Sequence, residues 1–180
     1  SIILPASVKS FGSSFNSTYD LNSVTFEPNS QLETIGEWAF SFSGLPSFAV
    51  PASVTSILGN AFRMMPNLTN VTFNKGSLST GGPSVISSYA FYLSTVQRVF
   101  AFQTTLNNLG KSTGSDQPFY QNSNGVTINL LEGATVGAED GATEGGEYNT
   151  AVVPTVSIYT PEAFQVYFTN NYTNYEYLLF

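Results

Sequence analysis

The sequence predicts an α/β repeat solenoid in which strands and loops predominate, and two observations support this fold class. A phrase of side chains returns in a fixed order: a Pro, a Ser-Val or Ser-x-Leu, an Ile, an Ala-Phe, and then a Leu-x-x-Val-x-Phe. The residues that end the phrase are 22, 24, 23 and 28 positions apart, a near-constant step that is typical of stacked repeats. These residues are Leu4, Phe26, Val50, Phe73 and Ala101.

Each copy of the phrase predicts one strand followed by a return through a turn. The Leu-x-x-Val-x-Phe part alternates apolar and polar residues at its end, as a strand with one buried face does. A Pro, such as Pro51, ends the strand, and the Ile-Gly-x-x-Ala-Phe part leads the chain back. No coil buries its apolar edge alone, so we expect the interior to be shared between neighbouring coils. The predicted interior positions are Leu4, Val24, Phe26, Ile35, Phe40, Val50, Ile57, Phe62, Val71, Phe73, Ile86, Phe91 and Val99.

The pattern weakens after residue 101. Residues 126–130 alternate well enough to predict a fifth strand, and residues 157–160 resemble a sixth. Between them, residues 132–150 are rich in Gly, Ala and acids, which indicates a long exposed loop. Residues 161–168 begin with a Pro and carry aromatics at helical spacing, which predicts a short amphipathic capping helix.

These observations suggest a division of the chain into two parts. We expect residues 1–101 to hold about four coils. Residues 102–180 should hold irregular final coils with the acidic loop and a cap at 156–180. The opening Ile-Leu-Pro resembles the middle of a repeat, so we expect the chain to be cut from a longer precursor whose signal and anchor lie outside it.

Composition and charge exclude several classes of function. Only 9% of the residues are charged, and the five bases all lie at or before position 111, while eight of the twelve acids lie beyond it. With so few bases and no basic cluster, the chain lacks the positive surface that phosphate binding needs, so nucleic acid is not an expected partner. The apolar runs are short and interrupted, and they predict no membrane span.

The residues that usually carry enzyme chemistry are scarce. The chain has no His and no Cys, which removes the commonest general bases, nucleophile activators and transition-metal ligands. Glu33 and Glu37 are the nearest pair of carboxylates in the repeats, and a solvated surface explains their spacing better than glycosidase chemistry does. We therefore expect no catalysis and no cofactor.

The acidic loop raises the question of calcium. Glu139, Asp140 and Glu144 offer the hard oxygen ligands that calcium prefers, among glycines that permit tight turns. They lack the alternating register of a known calcium loop, so a solvated loop is the favoured interpretation.

The repeats resemble the BspA-like leucine-rich repeats, also called the Treponema pallidum type. In that family a Pro-x-Ser-Val-x-x-Ile-Gly-x-x-Ala-Phe phrase precedes Leu-x-x-Val, and residues 5–24, 33–50 and 51–73 carry it best. The resemblance implies a leucine-rich-repeat right-handed superhelix with one parallel β-sheet. It also implies a secreted or cell-surface protein that adheres to a protein or glycan ligand on a host or neighbouring cell.

The outward positions of the predicted strands form a ladder, which we call the strand ladder. Adjacent coils place these side chains about one strand spacing apart, so this face is the natural place for a ligand. Two interpretations stay open: an adhesion or ligand-binding module, or a structural subunit that self-associates into a filament or sheath by solenoid stacking. Arg98 and Phe100 are the expected anchors, because Arg and aromatic residues are enriched at binding hot spots. The candidate residues are Thr25, Ser47, Asn70, Thr72, Arg98, Phe100, Thr127 and Asn129.

Overall fold

The computed structural model describes residues 1–74, 85–87, 89–101, 105–106, 127–131, 135–136 and 155–159. Within these residues the chain alternates between longer and shorter strands, with one 3₁₀ turn at Ser13–Phe15 and no α-helix. The predicted helix at 161–168 and the acidic loop at 132–150 lie outside the described residues. The longer strands are β1 Ile2–Leu4, β3 Val24–Phe26, β5 Ser47–Val50, β7 Asn70–Phe73, β9 Arg98–Ala101, β11 Thr127–Leu131 and β13 Thr155–Tyr159. The shorter strands are β2 Ser10–Phe11, β4 Thr34–Ile35, β6 Ser56–Ile57, β8 Val85–Ile86, β10 Thr105–Leu106 and β12 Thr135–Val136.

Among the described residues all the strand pairs are parallel, as the family resemblance implies, but they do not form the single sheet that we expected. The longer strands divide into a pair, β1-β3, and a five-stranded sheet in the order β13-β11-β9-β7-β5. The shorter strands form a four-stranded sheet, β2-β4-β6-β8, and a pair, β10-β12. The expectation of one sheet is wrong for two reasons: the coils pair through shorter strands as well as longer ones, and the row of longer strands is interrupted between β3 and β5.

A third set of backbone hydrogen bonds joins the coils where no strand is formed. The N–H of Phe40 donates to the carbonyl oxygen of Ala61 at 2.8 Å, and the N–H of Phe62 donates to that of Ala90 at 2.7 Å. The N–H of Met64 likewise donates to Tyr92 in the following coil at 2.8 Å. We call this part of the coils the turn side; it comprises residues 13–17, 37–43, 59–65 and 89–94.

The turn side has left-handed backbone at two places in each of three coils. The residue before the Ala-Phe pair and the second residue after it have positive φ, as at Asn60 (60°) and Met64 (50°). Left-handed backbone costs an L-residue roughly 1–2 kcal/mol, so these turns are held by the packing around them. The same conformation occurs at Trp38, Phe42, Tyr89 and Leu93.

The interior matches the sequence prediction closely. Eleven of the thirteen predicted interior side chains are buried, while Val24 and Phe26 are only partly buried against the core. Both exceptions lie on β3, which has no hydrogen-bonded ladder to β5, so their side chains are covered less completely.

A stack of phenylalanine rings runs through the interior with one ring from each coil. The ring centroids of Phe15 and Phe40 are 5.1 Å apart, those of Phe40 and Phe62 are 5.4 Å apart, and those of Phe62 and Phe91 are 5.0 Å apart. The interplanar angles lie between 5° and 17°, so the rings are nearly parallel, and the centroid separations indicate offset stacking. Each Ala-Phe pair therefore contributes one ring to the stack, and the stack links neighbouring coils.

Candidate functional site

The five-stranded sheet aligns most of the predicted strand ladder. Parallel pairing puts Ser47 beside Asn70, Asn70 beside Arg98, and Arg98 beside Thr127. A second row, two residues further along each strand, joins Ala49, Thr72, Phe100 and Asn129 in the same way. Neighbouring positions in each row are one strand spacing apart, roughly 4.8 Å.

Thr25 is not part of this alignment. It lies on β3 and pairs with Ile3 of β1, in the separate two-stranded sheet. Both residues are exposed, and Ile3 shows 67% of its surface to solvent. The structure therefore keeps Thr25 on the surface but does not bring it into the hydrogen-bonded sheet that carries the other candidates.

Thr72 differs from the expectation of an outward, solvated position. Only 5% of the Thr72 surface is exposed to solvent, and its strand neighbours Val71 and Phe73 are fully buried. Both faces of β7 are thus covered at this point, and Thr72 is not accessible for direct contact with a ligand. Ser47 is half-buried and Ala49 is exposed, so the alternation of a strand with one buried face holds better on β5.

Asn70 is the most informative member of the strand ladder. Its Nδ2 donates to the Oγ1 of Thr69 at 3.0 Å, and that hydroxyl in turn donates to the carbonyl oxygen of Pro46 at 3.2 Å. The Oδ1 of Asn70 is buried and has no hydrogen-bond partner. An unpaired buried acceptor costs roughly 1–3 kcal/mol, and because this oxygen is closed off from solvent it is not accessible to a ligand in this conformation.

Arg98, Phe100, Thr127 and Asn129 are placed by their backbone register. Arg98 and Phe100 lie on the central strand β9, and Thr127 and Asn129 lie on the next strand, β11. The register thus puts the two expected anchors on one strand, β9, with polar residues on the strands at either side.

The described residues include no metal centre. No group of three or more His, Cys, Asp or Glu side chains is close enough to hold a metal ion in this part of the structure. Glu33 and Glu37 are exposed, and Glu33 lies 3.8 Å from the Nζ of Lys9 in an ion pair that is open to solvent. The calcium candidates Glu139, Asp140 and Glu144 lie outside the described residues.

A cluster on the turn side was missed by the sequence analysis. The guanidinium carbon of Arg63 lies 5.3 Å from the ring centroid of Trp38 and 4.8 Å from that of Tyr92. Tyr92 packs edge to face against Tyr89, with ring centroids 5.4 Å apart, and the Nη1 of Arg63 donates a long hydrogen bond of 3.4 Å to the Oδ1 of Asn60. We call these five residues the Arg63 cluster.

The signal for this cluster was present in the repeat phrase. Trp38, Asn60 and Tyr89 each precede an Ala-Phe pair, while Arg63 and Tyr92 each follow one. Aligning the coils by that pair would have placed the five side chains in two adjacent rows.

No helix in the described part of the chain is long and apolar enough to cross a membrane.

The chain matches a protein-family model over most of its length. The model of the BspA type leucine rich repeat region matches residues 1–124 in six copies, which is more than half of the chain. Comparisons with curated proteins and with solved structures found no match. The family match confirms the resemblance that the Pro, Ile-Gly and Ala-Phe phrase indicated.

Proposed function

Because the chain belongs to the BspA-type leucine-rich-repeat family, we propose that it is a surface-associated or secreted recognition module that binds a protein ligand through the strand ladder. Repeats of this family typically form non-catalytic modules for protein interaction, and they are common on surface-associated proteins. In this chain the ligand would bind at the strand ladder, and binding would take place outside the cell.

The observation that carries this proposal is the alignment of non-identical positions on one parallel sheet. Ser47, Asn70, Arg98 and Thr127 share a row, and their side chains differ from coil to coil while the interior positions repeat. A surface that is regular in spacing and variable in chemistry suits the recognition of an extended partner. Fold alone does not choose a ligand, so the variable positions must do so.

The residue types on β9 favour a protein partner. Arg98 and Phe100 supply an Arg and an aromatic residue on this strand, and these residue types are enriched at the energetic centres of protein interfaces.

The experiment is a binding screen followed by single substitutions. The purified chain is tested by biolayer interferometry against a panel of extracellular-matrix proteins, and each binder is tested again with Arg98→Ala and Phe100→Ala. A hot-spot residue contributes about 2 kcal/mol or more, so at least one variant should weaken binding by roughly thirtyfold. Tyr19→Ala is the control, because Tyr19 is 69% exposed and lies outside the strand ladder.

Circular dichroism should show that all the variants remain folded. Unchanged affinity in both Arg98→Ala and Phe100→Ala would remove the ligand from this face. Fibres in electron microscopy, with no binder in the panel, would contradict the proposal and favour a filament or sheath subunit.

A further inference from the structure

We propose that the Arg63 cluster is a second binding site, separate from the strand ladder, and that it takes the carboxylate of an Asp or Glu side chain on a partner protein. The cluster lies on the turn side of the coils, whereas the strand ladder lies on the sheet of longer strands. The inference concerns a different face and does not depend on the strand ladder binding anything.

The first argument is the geometry of the guanidinium group. Arg63 is flanked by the ring of Trp38 from the preceding coil and by the ring of Tyr92 from the following coil, at 5.3 and 4.8 Å. Both distances fall within the range of cation–π contact. Three coils therefore fix the position of this guanidinium, and a fixed planar fork loses less freedom when it binds a carboxylate.

The second argument is the set of unused donors. A guanidinium has five N–H donors. Nη1 of Arg63 makes the long 3.4 Å hydrogen bond to Asn60, and the Nε is buried without a partner, so the donors left for a ligand are those of the terminal Nη1 and Nη2. Across the described residues the ion pair of Lys9 with Glu33 is the only one, so Arg63 has no carboxylate partner there.

These two arguments set the charge and shape of the occupant. A half-buried cation with unpaired donors is complementary to an anion, and the parallel N–H groups of a guanidinium match the two oxygens of a carboxylate. The flanking Trp and Tyr rings offer apolar surface for the residues beside that carboxylate. Trp, Tyr and Arg are also the residue types that dominate hot spots in protein interfaces, which favours a protein over a small anion.

The test uses the fluorescence of Trp38, which is the only tryptophan in the chain and lies within the cluster. The probe is the blocked peptide acetyl-Gly-Glu-Leu-Glu-Gly-amide, and its counterpart with Gln in place of both Glu residues is the ligand control. We expect saturable change of the Trp38 emission with the Glu peptide at millimolar concentration, weakening with added salt, and no saturable change with the Gln peptide.

Two substitutions locate the binding. Arg63→Lys keeps the charge but removes the planar fork, and we expect the dissociation constant of the Glu peptide to rise about tenfold or more. Lys9→Arg, at an exposed cation outside the cluster and the strand ladder, is the control and should leave the affinity unchanged. Urea unfolding of both variants checks that the fold is retained, since Arg63 also packs against two rings.

Three results would overturn the inference: no saturable response to the Glu peptide, equal responses to the Glu and Gln peptides, or full affinity in Arg63→Lys. The binding screen on matrix proteins is scored separately, so failure of one proposal does not decide the other.

Discussion

Truncation of Phe62 to Ala tests whether the stacked phenylalanine rings hold the coils together. Phe62 is fully buried, and it is stacked between the rings of Phe40 and Phe91. It also contacts Phe48 of the longer strand β5, with ring centroids 4.9 Å apart. Its ring thus touches the preceding coil, the following coil and the sheet.

The expected loss follows from two contributions. Replacing the buried phenyl ring by a methyl group loses about 2 kcal/mol of the free energy of transfer from water to the apolar interior. A residual cavity of roughly 80–100 Å³ adds about 2 kcal/mol at about 24 cal/mol per Å³, because the neighbouring rings are tied to their own coils and relax only in part. Together these give a decrease in the free energy of unfolding of about 3–5 kcal/mol, the usual range for Phe→Ala in a core.

The assay is urea unfolding at equilibrium, followed by far-ultraviolet circular dichroism and by Trp38 fluorescence. Trp38 lies next to the coil that contains Phe62, so a local opening of the stack should appear in its emission. Tyr19→Ala is the control, because Tyr19 is 69% exposed and its truncation should cost less than about 0.5 kcal/mol. A loss below about 1 kcal/mol for Phe62→Ala would refute the role of the stack.

Two further predictions concern polar and backbone packing. Ser41 and Ser43 are both fully buried, but the hydroxyl of Ser41 donates to the carbonyl oxygen of Arg63 at 3.2 Å while that of Ser43 has no partner. Ser41→Ala should therefore destabilise the chain by about 1 kcal/mol and Ser43→Ala should leave it equally or more stable, and the opposite order in urea unfolding would contradict this. Gly36→Ala should cost about 1–3 kcal/mol, because a Cβ there would lie 2.6 Å from the carbonyl oxygen of Phe11, and a variant that melts no lower than the parent would exclude this close approach.

The repeat phrase predicted the interior with few errors because one physical requirement recurs in every coil. Phe40, Phe62 and Phe91 each follow an Ala and each fill the same space, so a position that is buried in one coil is buried in the next. The order and approximate place of the longer strands in the repeats follow from the same step, and alternation predicted β11 and β13, but the shorter strands were not predicted. The number of sheets did not follow, because the sequence does not show where hydrogen bonding between neighbouring coils is interrupted.

For the candidate sites, too, the sequence of one repeat predicts some features, while others depend on packing between neighbouring coils. The strand ladder was predicted as a set of outward positions, and the register of β5, β7, β9 and β11 aligns most of it. The burial of Thr72 was not predictable from alternation along β7, which would leave one face open. The unpaired Oδ1 of Asn70 depends on how its amide is held by Thr69, and that too needs coordinates.

The sequence by itself determined the repeat length, the interior residues and the family of this protein, because these depend on one side-chain phrase that each coil must satisfy in order to bury its apolar edge. Only the tertiary structure decided that Arg63 lies between Trp38 and Tyr92 and that Thr25 is separated from the five-stranded sheet. These arrangements join residues that are more than twenty positions apart. Their contacts depend on the register between stacked coils, which is set by backbone hydrogen bonds and not by the pattern within one repeat.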